Sequence, residues 1–327
     1  GAVPVLLRRL HDTPPDQPLE EEALQFFASL TDWVPSCRHR LRDLGLLRRV
    51  SRRMESPSCG GFELVLLVSI CKGMSESESL HTFMKELGVA RALAAKLVAD
   101  DQAVDTLLPV STTGGLDALL TLANLNGGTA SPDDTLCQEL IVRHDISAQI
   151  AQFAAEAVLS DKGLATYTFP DGTWSIYDLP SLLTSCQSLT RTAVNCERLA
   201  QHGLLPTLLA VLRSSSPAAA AAASGANSVT TTTTPGSSAT DTASATAAGA
   251  AAATGAASGG AAGAALTDPQ LAVLAARTIF NMAQVSGLHA QLREAGVQDV
   301  LKACLTRDDL RVVDAARGTL LQLGELT

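Results

Sequence analysis

A glycine phrase recurs along this chain, and the distance between its copies constrains the fold more than any single residue does. Gly1-Ala-Val-Pro-Val-Leu-Leu and Gly203-Leu-Leu-Pro-Thr-Leu-Leu are near duplicates 202 residues apart. Weaker copies begin at Gly45, Gly88 and Gly296, and at Asp145 an aspartate stands in the glycine's place. Repetition on this scale specifies an array of stacked units, each burying its apolar face against its neighbours, rather than one closed core.

A second landmark precedes each glycine. Asn281 lies fifteen residues before Gly296, Ser188 fifteen before Gly203, and Gly73 fifteen before Gly88. Ser29 precedes Gly45 by sixteen, Asn124 precedes Asp145 by 21, and Gln322 is the last copy. Between landmarks the spacing is helical. Leu271, Leu274, Ala275, Thr278, Ile279 and Met282 fall on one stripe of a helix. The glycine supplies a left-handed turn between two helices, and Pro4 and Pro206 sit where a first helical turn tolerates a missing N–H. Each unit therefore reads as a short helix, a sharp turn, a second helix, a loop and a third helix.

These units resemble armadillo repeats, in which an asparagine and an apolar residue lead to a Gly-apolar-apolar-Pro turn and an Ala-rich third helix ends in Leu-x-Asn-Leu. Asn195 to Leu212 fits the first half of that pattern and Leu271 to Ala283 the second. HEAT repeats are the near neighbour, but they have two helices and lack this turn. The resemblance covers about 270 residues and is weakest in the first three units. It implies an all-α, right-handed α-solenoid running through residues 1–327 as one domain, with repeat turns near 1, 45, 88, 145, 203 and 296. It also implies a non-enzymatic protein-interaction scaffold whose third helices line a concave groove. In that family the residue at the Asn281 position hydrogen-bonds an extended peptide, a task suited to an amide that both donates and accepts.

Here the corresponding ladder is Ser29, Gly73, Asn124, Ser188, Asn281 and Gln322, and one turn earlier stand Gln25, Ser69, Leu120, Thr184, Arg277 and Gly318. Importin-α-like receptors carry tryptophan at the earlier position, and this chain has none there. Arg277 beside Asn281 is more similar to a catenin-type site for an acidic, extended peptide. The resemblance thus nominates Asn124, Thr184, Ser188, Arg277, Asn281 and Gln322 as partner contacts. Two other readings stay open. One is an adaptor that docks a ciliary or cytoskeletal assembly through its inserted loops; the other is a regulatory region of a larger protein such as a ubiquitin ligase.

Loop lengths add detail. From the turn glycine to the third-helix landmark the last unit spans 26 residues and the first two span 28, while the others span 36, 43 and 78. The three excesses, 10, 17 and 52 over the last unit, all fall between second and third helices, and so on one edge of the array. The largest, 214–265, is almost wholly Ala, Ser, Thr and Gly, has no apolar period, and is expected to be disordered, as a spacer or a Ser/Thr-rich tether. The second, within 160–178, holds Tyr167, Phe169, Trp174 and Tyr177 around Pro170-Asp171-Gly172. That pattern predicts a small β-hairpin. It folds back over an apolar flank, or it offers those four aromatics to a partner, since Tyr and Trp concentrate binding energy at interfaces.

Composition narrows the function classes. A net charge of −9 argues against a general nucleic-acid binder. Seven cysteines without a C-x-x-C pair read as reduced thiols of the cytoplasm or a continuous compartment such as cilium or nucleus. No run of 18 apolar residues is present, so membrane insertion is not expected. The chain opens inside a repeat, so it is expected to be part of a longer protein. Ser69-Ile-Cys-Lys72 lies in an apolar helix without a supporting motif, the six histidines are scattered, and the glycines near 255–263 follow no strand. No catalytic residue, cofactor, metal or small-molecule substrate is expected. Seven arginines between 38 and 53 are expected on a solvated helix face opposite Leu41, Leu44, Leu47, Val50 and Met54, or as a contact for an acidic or phosphorylated peptide.

Overall fold

The computed structural model describes residues 2–14, 17–98, 106–127, 131–170, 172, 174–215 and 268–326. The turn at Gly1 and, beyond Ser215, the low-complexity stretch expected to be disordered lie outside the described residues. Among those described, seventeen α-helices follow one another as repeated triplets. α1 (Ala2–Asp12) and α2 (Glu21–Trp33) are the second and third helices of the first unit. The next unit comprises α3 (Arg38–Asp43), α4 (Leu46–Met54) and α5 (Gly61–Ser75), and the third α6 (His81–Glu86), α7 (Val89–Lys96) and α8 (Thr113–Leu125). Then come α9 (Pro132–Arg143), α10 (Ile146–Leu159) and α11 (Leu179–Leu189), and α12 (Ala193–Gln201), α13 (Leu204–Ser214) and α14 (Pro269–Ala283). The array closes with α15 (His289–Glu294), α16 (Val297–Cys304) and α17 (Leu310–Gln322). No single helix among the described residues is long and apolar enough to cross a membrane.

Each turn between first and second helices pivots on one left-handed residue. Gly45, Gly88, Gly203 and Gly296 have φ of 86°, 73°, 80° and 72°. Asp145, at 47°, is the one non-glycine at positive φ among the described residues. A short polar side chain tolerates this region, and the Asp145 carboxylate is held by Arg198 Nη1 at 2.9 Å. With that hand fixed, the third helices stack in register: α2 on α5, α5 on α8, α8 on α11, α11 on α14 and α14 on α17. One hydrophobic core runs through all six units. Gly73 is a glycine because α2 passes too close for anything larger; a Cβ there would meet the Thr31 backbone carbonyl carbon at 2.9 Å.

A second device repeats where a third helix hands over to the next unit. A side chain early in the following helix caps the exposed carbonyls. His81 Nε2 donates to the Ser75 carbonyl at 2.6 Å, and His289 Nε2 to the Ala283 carbonyl at 2.8 Å. Cys196 Sγ donates to the Thr190 carbonyl at 3.2 Å, and Arg38 Nε to the Thr31 carbonyl at 2.8 Å.

The arginine-rich stretch is not the uniformly solvated face expected of it. Arg38, Arg49 and Arg53 are buried, and Leu44 is exposed. Arg53, with no exposed surface, forks onto both oxygens of Glu63 at 2.8 Å. Arg49 Nη2 donates to the Thr13 carbonyl at 2.6 Å. These guanidiniums brace the first two units, because a rigid planar donor fork satisfies several buried acceptors at once.

The insertions add two small sheets. The expected hairpin forms from β3 (Leu164–Thr168) and β4 (Trp174–Asp178), antiparallel, with Leu164 opposite Asp178 and Thr168 opposite Trp174. In the third unit β1 (Leu97–Val98) pairs in parallel with β2 (Leu108–Pro109), a pairing the sequence pattern did not announce.

Gly203→Ala is expected to lower the unfolding free energy by about 1–2 kcal/mol, read from the urea midpoint, because open space around it leaves only the left-handed φ to resist a Cβ. His81 gives a pH signature. Burial drives its folded pKa below the ordinary 6.5 despite the Ser75 carbonyl. The neutral ring's contribution is then present above pH 6.5 and lost as pH falls through the lower folded pKa. Subtracting the melting profile of His81→Gln from that of the unsubstituted protein should show a stability difference that shrinks as pH falls from 6.5 toward the lower folded pKa and levels off beneath it.

Candidate functional site

The hairpin decides which part of the third-helix face stays open. Its inner face is aromatic: the Tyr177 ring stacks on Phe153 of α10 (centroids 5.6 Å apart, planes 5° from parallel), and Tyr167 packs on Phe153 at 5.2 Å and edge-on to Phe169 at 4.8 Å. Phe169 and Tyr177 are buried and Tyr167 half-buried. Of the two readings of the hairpin, covering an apolar flank therefore accounts for these three. Trp174 differs; it is 64% exposed on the outer face of β4, two residues from Ile176.

β4 reaches sideways onto the preceding unit. Ser175 Oγ donates to Thr113 Oγ1 at 3.4 Å, and the Tyr177 hydroxyl donates to Asp117 Oδ1 at 3.4 Å. α8 consequently has no open side: every residue from Gly114 to Leu125 is buried. Beneath the hairpin lies a line of charge. Asp117 Oδ2 accepts from Ser69 Oγ at 3.0 Å, Lys72 Nζ donates to Asp32 Oδ1 at 2.9 Å, and Arg38 Nη2 pairs with Glu76 Oε2 at 2.6 Å. Burial pulls the Lys72 ammonium down, but Asp117, Asp32 and Glu76 outweigh it and hold the charge firmly in place. Burial raises the Asp117 and Glu76 carboxyls above the usual range, against the pull of Lys72.

The ladder residues part company along this face. Asn124 is buried and spent on its neighbours: Nδ2 donates to Ser75 Oγ at 3.0 Å and Oδ1 accepts from Ser185 Oγ at 2.8 Å. It ties α5, α8 and α11 together and offers nothing to a partner. Ser188 is buried too. Thr184, half-buried, returns its hydroxyl to the Pro180 carbonyl of its own helix at 2.9 Å. Toward the other end the face opens. Asn281 is half-buried, with Nδ2 donating to Thr190 Oγ1 at 3.1 Å, while Arg277 and Gln322 are exposed. Arg277 makes no hydrogen bond or ion pair among the described residues. All seven cysteines are free, and burial pushes Cys71 and Cys137 up to about 12, so those thiols stay protonated.

Three helices per unit, a left-handed residue between the first two, and third helices stacked into one face decide the architecture. The fold is an armadillo-like solenoid. No family model matches the chain, and no curated protein matches it. Among solved structures it is similar to a designed armadillo repeat protein at 13% identity, covering 98% of this chain and 99% of that one with a TM-score of 0.46. A second designed armadillo repeat protein, in complex with a (KR)4 peptide, matches at 12% identity over 99% of this chain and 100% of that one, TM-score 0.43. An engineered protein matches at 14% identity over 99% and 97%, TM-score 0.44.

Missed in the sequence was Asp117, a polar residue inside an otherwise apolar third helix, whose isolation was the available signal; Lys72 was noticed only as the end of an unsupported Ser-x-x-Lys match. Because Asn124 is a brace, Asn124→Ala is expected to cost about 1–2 kcal/mol in equilibrium unfolding by removing two buried hydrogen bonds, the Ser75 and Ser185 hydroxyls keeping the Lys72 and Ser181 carbonyls as acceptors.

Proposed function

We propose that this solenoid is a non-enzymatic scaffold that holds an extended, acidic protein segment along the open end of its third-helix face. The observation that carries the reading is Arg277. It is a permanently charged side chain, exposed on the face made by α14, with no internal partner among the described residues. Asn281 lies four residues on, on the same side of the helix, and its half-exposed amide can give and accept a backbone hydrogen bond. Gln322 sits at the corresponding place on α17, exposed. An extended chain crossing α14 and α17 meets a guanidinium and two amides, which suits a carboxylate-bearing main chain. Asn124, Ser188 and Thr184, committed or covered, contribute rigidity to the scaffold and no contact. Free thiols fit a reducing compartment such as the cytoplasm.

The test is a quantitative pull-down from cytosol with the unsubstituted chain and with Arg277→Glu/Asn281→Ala, each checked by circular dichroism. Capture of a specific partner should fall tenfold or more, about 1.4 kcal/mol, in the double variant. Undiminished capture by a folded double variant overturns the groove reading.

A further inference from the structure

The inserted hairpin has one edge closed and the other bare. Register decides which backbone groups face outward. The Leu179 N–H donates to the Gly163 carbonyl at 3.0 Å, just beyond the last pair of the hairpin. Bonded and non-bonded positions alternate along an antiparallel pair. Ala165 with Tyr177 and Tyr167 with Ser175 are therefore the bonded pairs, and Trp174 and Ile176 turn their N–H and C=O groups away from β3. On the opposite edge the outward N–H of Thr166 is taken by Glu156 Oε1 of α10 at 3.1 Å. Trp174 and Ile176 have no such cover: neither makes a backbone hydrogen bond outside the hairpin among the described residues.

A bare edge is a template for another extended chain, and proteins ordinarily blunt it with a lysine, a proline or a bulge. Trp174-Ser-Ile-Tyr-Asp178 contains neither lysine nor proline, and its five residues pair one for one with β3, without a bulge. The two residues that face outward also hold exposed apolar side chains, Trp174 at 64% and Ile176 at 47%. Alongside this edge lies a recess of about 240 Å³, lined by Ile176 on the β4 side and by Asp32 and Trp33 of α2. It leaves room for one extended backbone at the strand-to-strand spacing of about 4.8 Å. The helices around the recess limit what can pair there. Two β4 strands meeting antiparallel would keep the inner faces of both hairpins on one side of the joined sheet. α8 and α10 of a second copy would then fall on α5 and α2 of the first, which continue the same layer. A lone extended segment, with no body beneath it, meets no such obstacle.

We propose that β4 accepts such a segment of a partner protein as an added strand. The backbone of the segment pairs with the N–H and C=O groups of Trp174 and Ile176, and apolar or β-branched residues at alternate positions lie beside their side chains. The inference rests on the scaffold reading only in taking the ligand to be part of a protein; it uses none of Arg277, Asn281 or Gln322. Recognition here belongs to the insertion and to main-chain pairing, not to side-chain amides on the third helices.

The probe is acetyl-Thr-Val-Thr-Val-Thr-amide, titrated into the full chain with amide hydrogen exchange followed by nuclear magnetic resonance. At saturation, exchange at Trp174 and Ile176 should slow about tenfold or more, while Ser175 and Tyr177, already bonded to β3, change little. Methylating backbone nitrogens of the peptide separates strand addition from apolar contact. With the valines beside Trp174 and Ile176, an antiparallel strand turns its valine N–H groups to β4 and a parallel strand its threonine N–H groups. Peptides methylated on the valines and on the threonines should therefore differ about tenfold in affinity. Ile176→Pro deletes one outward donor at an edge position where proline is tolerated. It should weaken the unmethylated peptide by a similar factor, and Ile176→Val should not. Arg277→Glu should leave the titration unchanged, so that failure of the groove reading does not touch this one. The proposal is overturned if Trp174 and Ile176 gain no protection, if the two methylated peptides bind alike, or if a folded Ile176→Pro chain binds as the unsubstituted chain does. Protection already present without peptide overturns it as well: rising with concentration it puts a second copy on the edge, and at every dilution a segment of this chain.

Discussion

The stack of third helices is the constraint on which the other features depend. Each of the four inner ones, α5, α8, α11 and α14, is gripped on two sides by its neighbours, and its own second helix covers a third, so only one stripe per unit remains for contact with anything else. What occupies that stripe then decides what the unit can do. In α8 the stripe is covered and the helix is buried throughout; in α14 it carries Arg277 into solvent. A solenoid of nearly uniform backbone therefore has a non-uniform surface. The difference comes from a hairpin of nineteen residues, 160–178, inserted one unit away from the helix it covers.

Legibility followed the same division. A left-handed turn is a backbone requirement, and backbone requirements leave glycine behind; the turns at 45, 88, 203 and 296 could be read for that reason, and Asp145 because aspartate is among the few substitutes. Pro170 and Gly172 within an alternating aromatic run made the hairpin readable on equally local grounds. Asn124 was read as a contact because its family position says so, yet its amide is taken by Ser75 and Ser185, 49 and 61 residues away. Tyr177 finds Asp117 at a separation of 60. No periodicity encodes which distant hydroxyl will meet an amide once the units have stacked.

The arginines lie between these cases. The stripe of Leu41, Leu44, Leu47, Val50 and Met54 set all seven on the opposite, solvated face, yet Leu46, Arg49, Val50 and Arg53 share the spacing of another stripe, and that one is buried. A paired guanidinium can be buried where its fork meets carboxylate and carbonyl oxygens. A cluster of one residue type was thus two populations, separated by where each falls on its helix.

That separation bears on how an acidic chain distributes recognition. The buried arginines neutralise Glu63 and Glu76 internally and project no field outward. Arg277 remains a visible cation at one end of the third-helix face, whereas under the hairpin the balance tips toward carboxylate around Lys72. The face exposes one arginine on α14, and under the hairpin it gathers Asp32 and Asp117 around Lys72. Partner segments laid along such a surface would be oriented by charge, because reversing the segment would set like charges against each other at both ends. Orientation of that kind needs no shape difference between successive units, which a repeat array is poorly equipped to supply.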